Sequence, residues 1–66
     1  MRADAEKLKT DIAESLALLR AHIDWDVATR RLEELNARSE DPDLWAKADE
    51  AQAVMRERTR LASQIE

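Results

Sequence analysis

Apolar residues recur along the first third of the chain at helical spacing: Ala5, Leu8, Ile12, Leu16, Leu19 and Ile23 follow one another at intervals of 3, 4, 4, 3 and 4. That spacing sets them on one stripe of an amphipathic helix and predicts a first helix over about 3-22. Asp4 and Glu6 fall near its N-terminal end, and Arg20 and His22 near its C-terminal end, as the helix dipole favours. A second stripe, Trp25, Ala28, Leu32, Leu35 and Ser39, alternates at 3 and 4 residues and predicts a helix over 25-39. Neither Gly nor Pro separates the two stripes, so one continuous helix from 3 to 39 stays open as an alternative. A break is preferred because Asp24 suits an N-cap and Asp26 a first helical turn. On the outer face Asp26 with Arg30, and Glu34 with Arg38, stand at i,i+4 in the order that favours ion pairing.

The only proline lies in Ser39-Glu40-Asp41-Pro42-Asp43-Leu44-Trp45. Proline disfavours helical geometry in the residue before it, so the second helix should stop at about Ser39 or Glu40. Asp41 then serves as N-cap and Pro42 as a first helical residue, where its missing N–H costs nothing. A third helix over about 43-65, after a short first turn around Asp43 to Trp45, presents Leu44, Ala48, Ala51, Met55, Ala62 and Ile65, with Val54 and Leu61 flanking and Arg58 interrupting. The predicted fold is all-α, with three helices and a hairpin turning at Glu40-Asp41-Pro42. Both tryptophans are expected in the core. Trp45 in particular is expected to pin helices two and three together, so that Trp45→Ala would cost ~3 to 5 kcal/mol.

Composition agrees with helices carrying charged outer faces: 39% of residues are charged and glycine is absent. Sixty-six residues bury only a thin core, and ~0.05 to 0.15 kcal/mol per residue gives a stability of ~3 to 10 kcal/mol. Leu61, Ala62 and Ile65 keep the apolar period going to the end without Gly, Asn or Pro to close it. The chain is therefore expected to be a single helical N-terminal domain, or a fragment, of something longer. No apolar run approaches a membrane span, and zero cysteines remove disulfides and thiolate chemistry. A cytoplasmic protein without a membrane partner is expected.

The chemistry-bearing residues are sparse. His22 is the only histidine and has no neighbour at metal-ligand or nucleophile-base spacing, so it reads as a surface or cap residue. Glu33 with Glu34, and Asp41 with Asp43, are too close in sequence to face each other on a helix, and helix-start acids are explained by the dipole. A phosphate-cradling loop needs glycine, and the acidic stretch 40-50 lacks the ligand alternation of a calcium loop. No catalytic, cofactor-binding or metal residue is therefore assigned, and no enzyme is expected. Arg56 and Arg60 share a helix face and could grip phosphates or an acidic partner. A solvated outer face opposite the core is the preferred reading of them. The net charge of −4 weighs against whole-surface DNA binding.

An ordered set of short elements carries more information: Leu19-Arg20, Asp24-Trp25-Asp26, Arg31-Leu32-Glu33-Glu34-Leu35-Asn36, Glu40-Asp41-Pro42-Asp43-Leu44-Trp45, Ala51-Gln52, Glu57-Arg58 and Leu61. This set closely resembles the N-terminal domain of the bacterial peptide chain release factor 2 family from about Leu19 to Leu61. Residues 1 to 18 match only in helical character. Release factor 1 generally lacks the Asp-aromatic-Asp and Asp-Pro-Asp-Leu-Trp elements. The resemblance implies a parent that enters the ribosome, reads UGA or UAA and promotes peptidyl-tRNA hydrolysis through Ser-Pro-Phe and Gly-Gly-Gln motifs, neither of which is in this chain. It implies a docking role here, with the ribosome at the stalk base and release factor 3 as partners, and no codon-reading or catalytic residue. Many members carry a programmed frameshift on a leucine codon just before the Asp matching Asp24; Ile23 stands there instead. A self-contained helical oligomerisation or protein-interaction module is the alternative reading, and self-association of the chain is expected, with pairing of third helices as one route.

Overall fold

The computed structural model describes all 66 residues and contains three helices and no strands. They are α1 (Arg2–Ser39), α2 (Pro42–Trp45) and α3 (Ala48–Ile65). The all-α hairpin is as expected, but its division differs: α1 runs unbroken through Asp24, joining the two helices expected over 3-22 and 25-39. Asp24 does not cap anything. Its carboxylate receives the Arg20 guanidinium Nε at 3.0 and 3.2 Å, while Asp26 lies 3.6 Å from His22. Carboxylates that would suit a helix start are held instead by basic residues one turn upstream, and nothing in this stretch forces the backbone out of helical geometry. Arg20 and His22 are consequently mid-helix, and Arg38 is the basic residue in the last turn.

The reversal is made without glycine. Glu40 remains right-handed (φ −85°, ψ −11°), and the amides of Glu40 and Asp41 donate to the carbonyls of Ala37 and Arg38 at 3.2 and 3.1 Å. Asp41 then turns extended (φ −80°, ψ 117°), and its Oδ1 accepts from the Asp43 amide at 3.0 Å, with Pro42 opening α2. A second corner falls at Lys47 (φ −114°, ψ 88°) before α3 begins. No residue has a positive φ. Two extended residues flanking one helical turn redirect the chain, so no position requires the left-handed conformation for which glycine is usually selected.

α3 returns antiparallel along the C-terminal part of α1: Arg38 faces Glu50 at 4.0 Å and Arg31 faces Glu57 at 2.9 Å. The core consists of Leu35, Leu44, Ala51, Val54 and Leu61, with Ala28 and Leu32 packed against it. On α3 the inward positions Ala51, Val54, Arg58, Leu61 and Ile65 alternate at 3 and 4, so Val54 and Leu61 are core, while Ala48 and Met55 are exposed. This rotates the expected stripe. Reading Arg58 as an interruption misplaced it, because a long basic side chain can lay its stem on apolar surface and keep an inward register; Arg58 is partly buried.

Neither tryptophan is a core residue: Trp25 is 48% and Trp45 53% exposed. Trp45 leans over the corner, its Nε1 donating to the Ser39 carbonyl at 2.9 Å. It follows the proline turn so closely that it reaches the end of α1 and not the space between the helices, which Leu44 fills. The expected pairs Asp26 with Arg30 and Glu34 with Arg38 do not form; Glu34 pairs with Arg31 at 3.0 Å, and Arg38 reaches across to Glu50. The molecule measures 66 by 16 by 15 Å, and every residue from 1 to 25 is exposed. No helix is long and apolar enough to cross a membrane.

Candidate interaction surface

Where α3 ends against the middle of α1, the helices frame an open groove of about 750 Å³. Trp25 and Ala28 from α1, and Leu61 and Ile65 from α3, supply its apolar wall, with Arg31, Glu57 and Arg60 along its polar side. The polar side is rigidly arranged. Arg31 Nε and Nη2 donate to the two carboxylate oxygens of Glu57 at 2.9 and 3.2 Å, and Nη1 donates to Glu34 at 3.0 Å. A planar guanidinium matched to a carboxylate in this forked geometry fixes both side chains and the register between the helices.

The ionisation of both groups follows from that geometry. The hydrogen bonds from Glu57 first, and Glu34 second, hold the Arg31 guanidinium well above its ordinary range. The Arg31 hydrogen bonds hold the Glu57 carboxyl below its ordinary range against its partial burial, helped by the positive charges of Arg31, Arg60 and Arg38. The clasp stays charged through the neutral range.

Arg56 and Arg60, placed together by sequence as one basic face, have different surroundings. Arg60 lies beside Glu57 in the groove, whereas Arg56 joins Trp45, Met55 and Gln52 on a shallow surface of about 300 Å³ near the corner. The half-exposed rings of Trp25 and Trp45 thus mark two separate surfaces, each next to an arginine. Sequence reasoning assigned both rings to the core and so missed these surfaces. The signal available was their position: one ring precedes the span opposed by α3, and the other sits in the turn. His22 is a surface residue, 3.6 Å from Asp26. No three His, Asp or Glu side chains converge as metal ligands. Glu33 stays outward, and Asp41 and Asp43 share only the cap hydrogen bond.

This fold defines a class of protein: an elongated helical hairpin with a protruding arm and open, mixed aromatic and basic surfaces. The sequence narrows it further. Over all 66 residues the chain is 54% identical to peptide chain release factor 2 of Paramagnetospirillum magneticum, spanning 18% of that protein. It is 44% identical over 66 residues to peptide chain release factor 2 of a Ruegeria species, again 18% of the relative's length. Against peptide chain release factor 2 of Phenylobacterium zucineum it is 65% identical over 43 residues, 65% of this chain and 12% of the relative. No family model and no solved structure matches. The chain is a relative of bacterial peptide chain release factor 2 along its full length, and it spans about a fifth or less of the curated relatives it matches. Two of these matches include residues 1 to 18, which the short motifs had left outside the resemblance.

Proposed function

We propose that this chain is the non-catalytic helical docking arm of a cytoplasmic translation termination factor acting at UGA and UAA codons. The observation that carries this reading is the 54% identity to a release factor 2 over the entire chain. In this reading the arm contacts the ribosome near the stalk base and release factor 3, while codon reading and hydrolysis belong to other parts of the factor. An elongated molecule 66 Å long, with half-exposed tryptophans beside Arg56 and Arg60, suits docking better than chemistry. Aromatic and arginine side chains are the types that most often anchor protein interfaces.

The test is removal of this segment from the full-length factor, followed by ribosome binding, peptide release on stop-codon complexes and stimulation by release factor 3. Weaker binding or lost stimulation, with hydrolysis retained at saturating factor, is expected. Hydrolysis abolished even at saturation would overturn the docking reading. The alternative, a self-contained helical interaction module, draws support from the apolar face left open on α1. A reading frame that stops after Glu66, without segments encoding Ser-Pro-Phe and Gly-Gly-Gln, would favour it.

A further inference from the structure

We infer that the corner surface around Trp45 and Met55 is where this arm takes a protein partner, a segment that presents an apolar side chain close to acidic residues. The inference deepens the docking reading and rests on it. Nearly buried Ala51 forms the floor of this surface, Trp45 and Met55 form its apolar wall, and Gln52 and Arg56 stand at its rim. The Trp45 indole is held by its bond to the Ser39 carbonyl, so its open face is already ordered before a partner arrives. At 3.6 residues per turn, Arg56 lies about 100° around α3 to one side of Met55 and Arg58 about 60° to the other. Arg58 Nη1 donates to the Met55 Sδ at 3.4 Å, and its Nε is buried without an acceptor.

The chemistry of the occupant is set by charge. The chain holds 15 acidic against 11 basic side chains, and on α1 Arg2, Arg20, Arg31 and Arg38 each pair with a carboxylate. Arg56 and Arg58 pair with none, and no carboxylate lines this surface. Elsewhere the charges are met internally: Glu57 answers Arg31 in the groove, and Arg38 and Lys47 stand among Asp41, Asp43 and Glu50 behind the corner. The corner surface therefore joins open apolar area to uncompensated positive charge. Aromatic, methionine and arginine side chains are the types enriched where proteins meet. A nucleic-acid backbone fits less well, because it asks for a run of cations, whereas Asp49 and Glu50 open α3 and the net charge is −4. A protein segment can set its carboxylates at Arg56 and Arg58 alone.

The test uses the full-length factor with purified ribosomes and release factor 3. With the photocrosslinker p-benzoylphenylalanine in place of Gln52, irradiation of the bound factor should give a crosslink to protein. The crosslinked peptide should carry Asp or Glu within a few residues of an apolar side chain. A crosslink to RNA, a peptide without acidic residues, or no crosslink from bound factor overturns the inference. Arg56→Glu should weaken binding roughly fivefold, the upper end for loss of an exposed pair. Arg30→Glu makes the same charge change at an exposed arginine of α1 and should leave binding unchanged. Equal weakening by the two overturns the inference, since a diffuse field would then account for both. Both positions are exposed, and retained helicity by circular dichroism confirms that folding is intact. Binding lost on deletion of the whole segment but untouched by Arg56→Glu keeps the docking reading and removes this inference. Deletion without effect removes the docking reading itself.

Discussion

The two halves of α1 have similar composition and the same helical geometry but opposite surroundings. From Ala28 to Ser39 the helix packs against α3, carries the fully buried Leu35 and is tied across by Arg31 to Glu57. From Arg2 to Asp24 it runs alone, with a stripe at least as apolar and no fewer ion pairs along its own surface. An apolar stripe thus stabilises a helix only when another surface covers it. Exposed i,i+4 pairs add only ~0.3 to 0.5 kcal/mol each, and most helical stability in proteins comes from tertiary packing of an amphipathic face. The packed half holds the core, and the free half is helical without contributing a buried residue to it.

Core truncation should separate the halves most sharply. Leu35→Ala is expected to cost ~2 to 5 kcal/mol, enough to consume most of the hairpin's stability. Leu16→Ala, 60% exposed at its native residue, should leave the thermal midpoint nearly unchanged at concentrations where the chain is monomeric. Equal losses in the two variants would break the comparison. Amide hydrogen exchange on the same monomer should show protection over residues 28-38 and 51-61 and little before Ala21.

A smaller effect belongs to the corner. Trp45→Ala should cost ~1 to 3 kcal/mol, below the loss for a fully buried tryptophan, because about half the ring is solvent-exposed. Trp45→Phe, which keeps the ring and removes the hydrogen bond to Ser39, should cost ~0.5 to 1.5 kcal/mol. Chemical denaturation of the two variants measures both numbers, and a Trp45→Ala chain that cannot fold would restore the tryptophan to a core role. Asp41→Ala removes the carboxylate that receives the Asp43 amide and should lower stability by about 1 kcal/mol, with no change in exchange before Ala21.

The smallest expected effect is in pH. The Glu57 carboxyl titrates lower in the folded chain than in the unfolded one, so its contribution is present above the ordinary glutamate value and is lost as pH falls through its depressed folded value. Denaturation midpoints measured from neutral pH downward should therefore decline in the acid range, and Glu57→Gln should flatten that decline. Arg31 is held above its ordinary value and stays protonated throughout, so it adds no slope in this window. A decline unchanged by Glu57→Gln would assign the acid sensitivity to other carboxylates.

Much of this was legible in the residues. Pro42 behind Asp41 announced the corner and the short helix after it, since proline restricts its predecessor and starts a helix without cost. The continuity through Asp24 was not legible, because two aspartates mark a helix start as well as they accept bonds from Arg20 and His22 one turn back. The two tryptophan surfaces were hidden for a related reason. A large apolar residue on a stripe predicts burial only if something lies opposite, and Trp25 sits where α3 runs out.

The sequence by itself determined that this protein is helical, that it turns once at Pro42, and that it is a relative of release factor 2. Those properties follow from local rules, backbone restriction and residue identity, each acting within a few positions. Only the tertiary structure decided which apolar stripe is core and which is free. Burial is a property of two surfaces in contact, and α3 is long enough to cover one half of α1 and leave the other open.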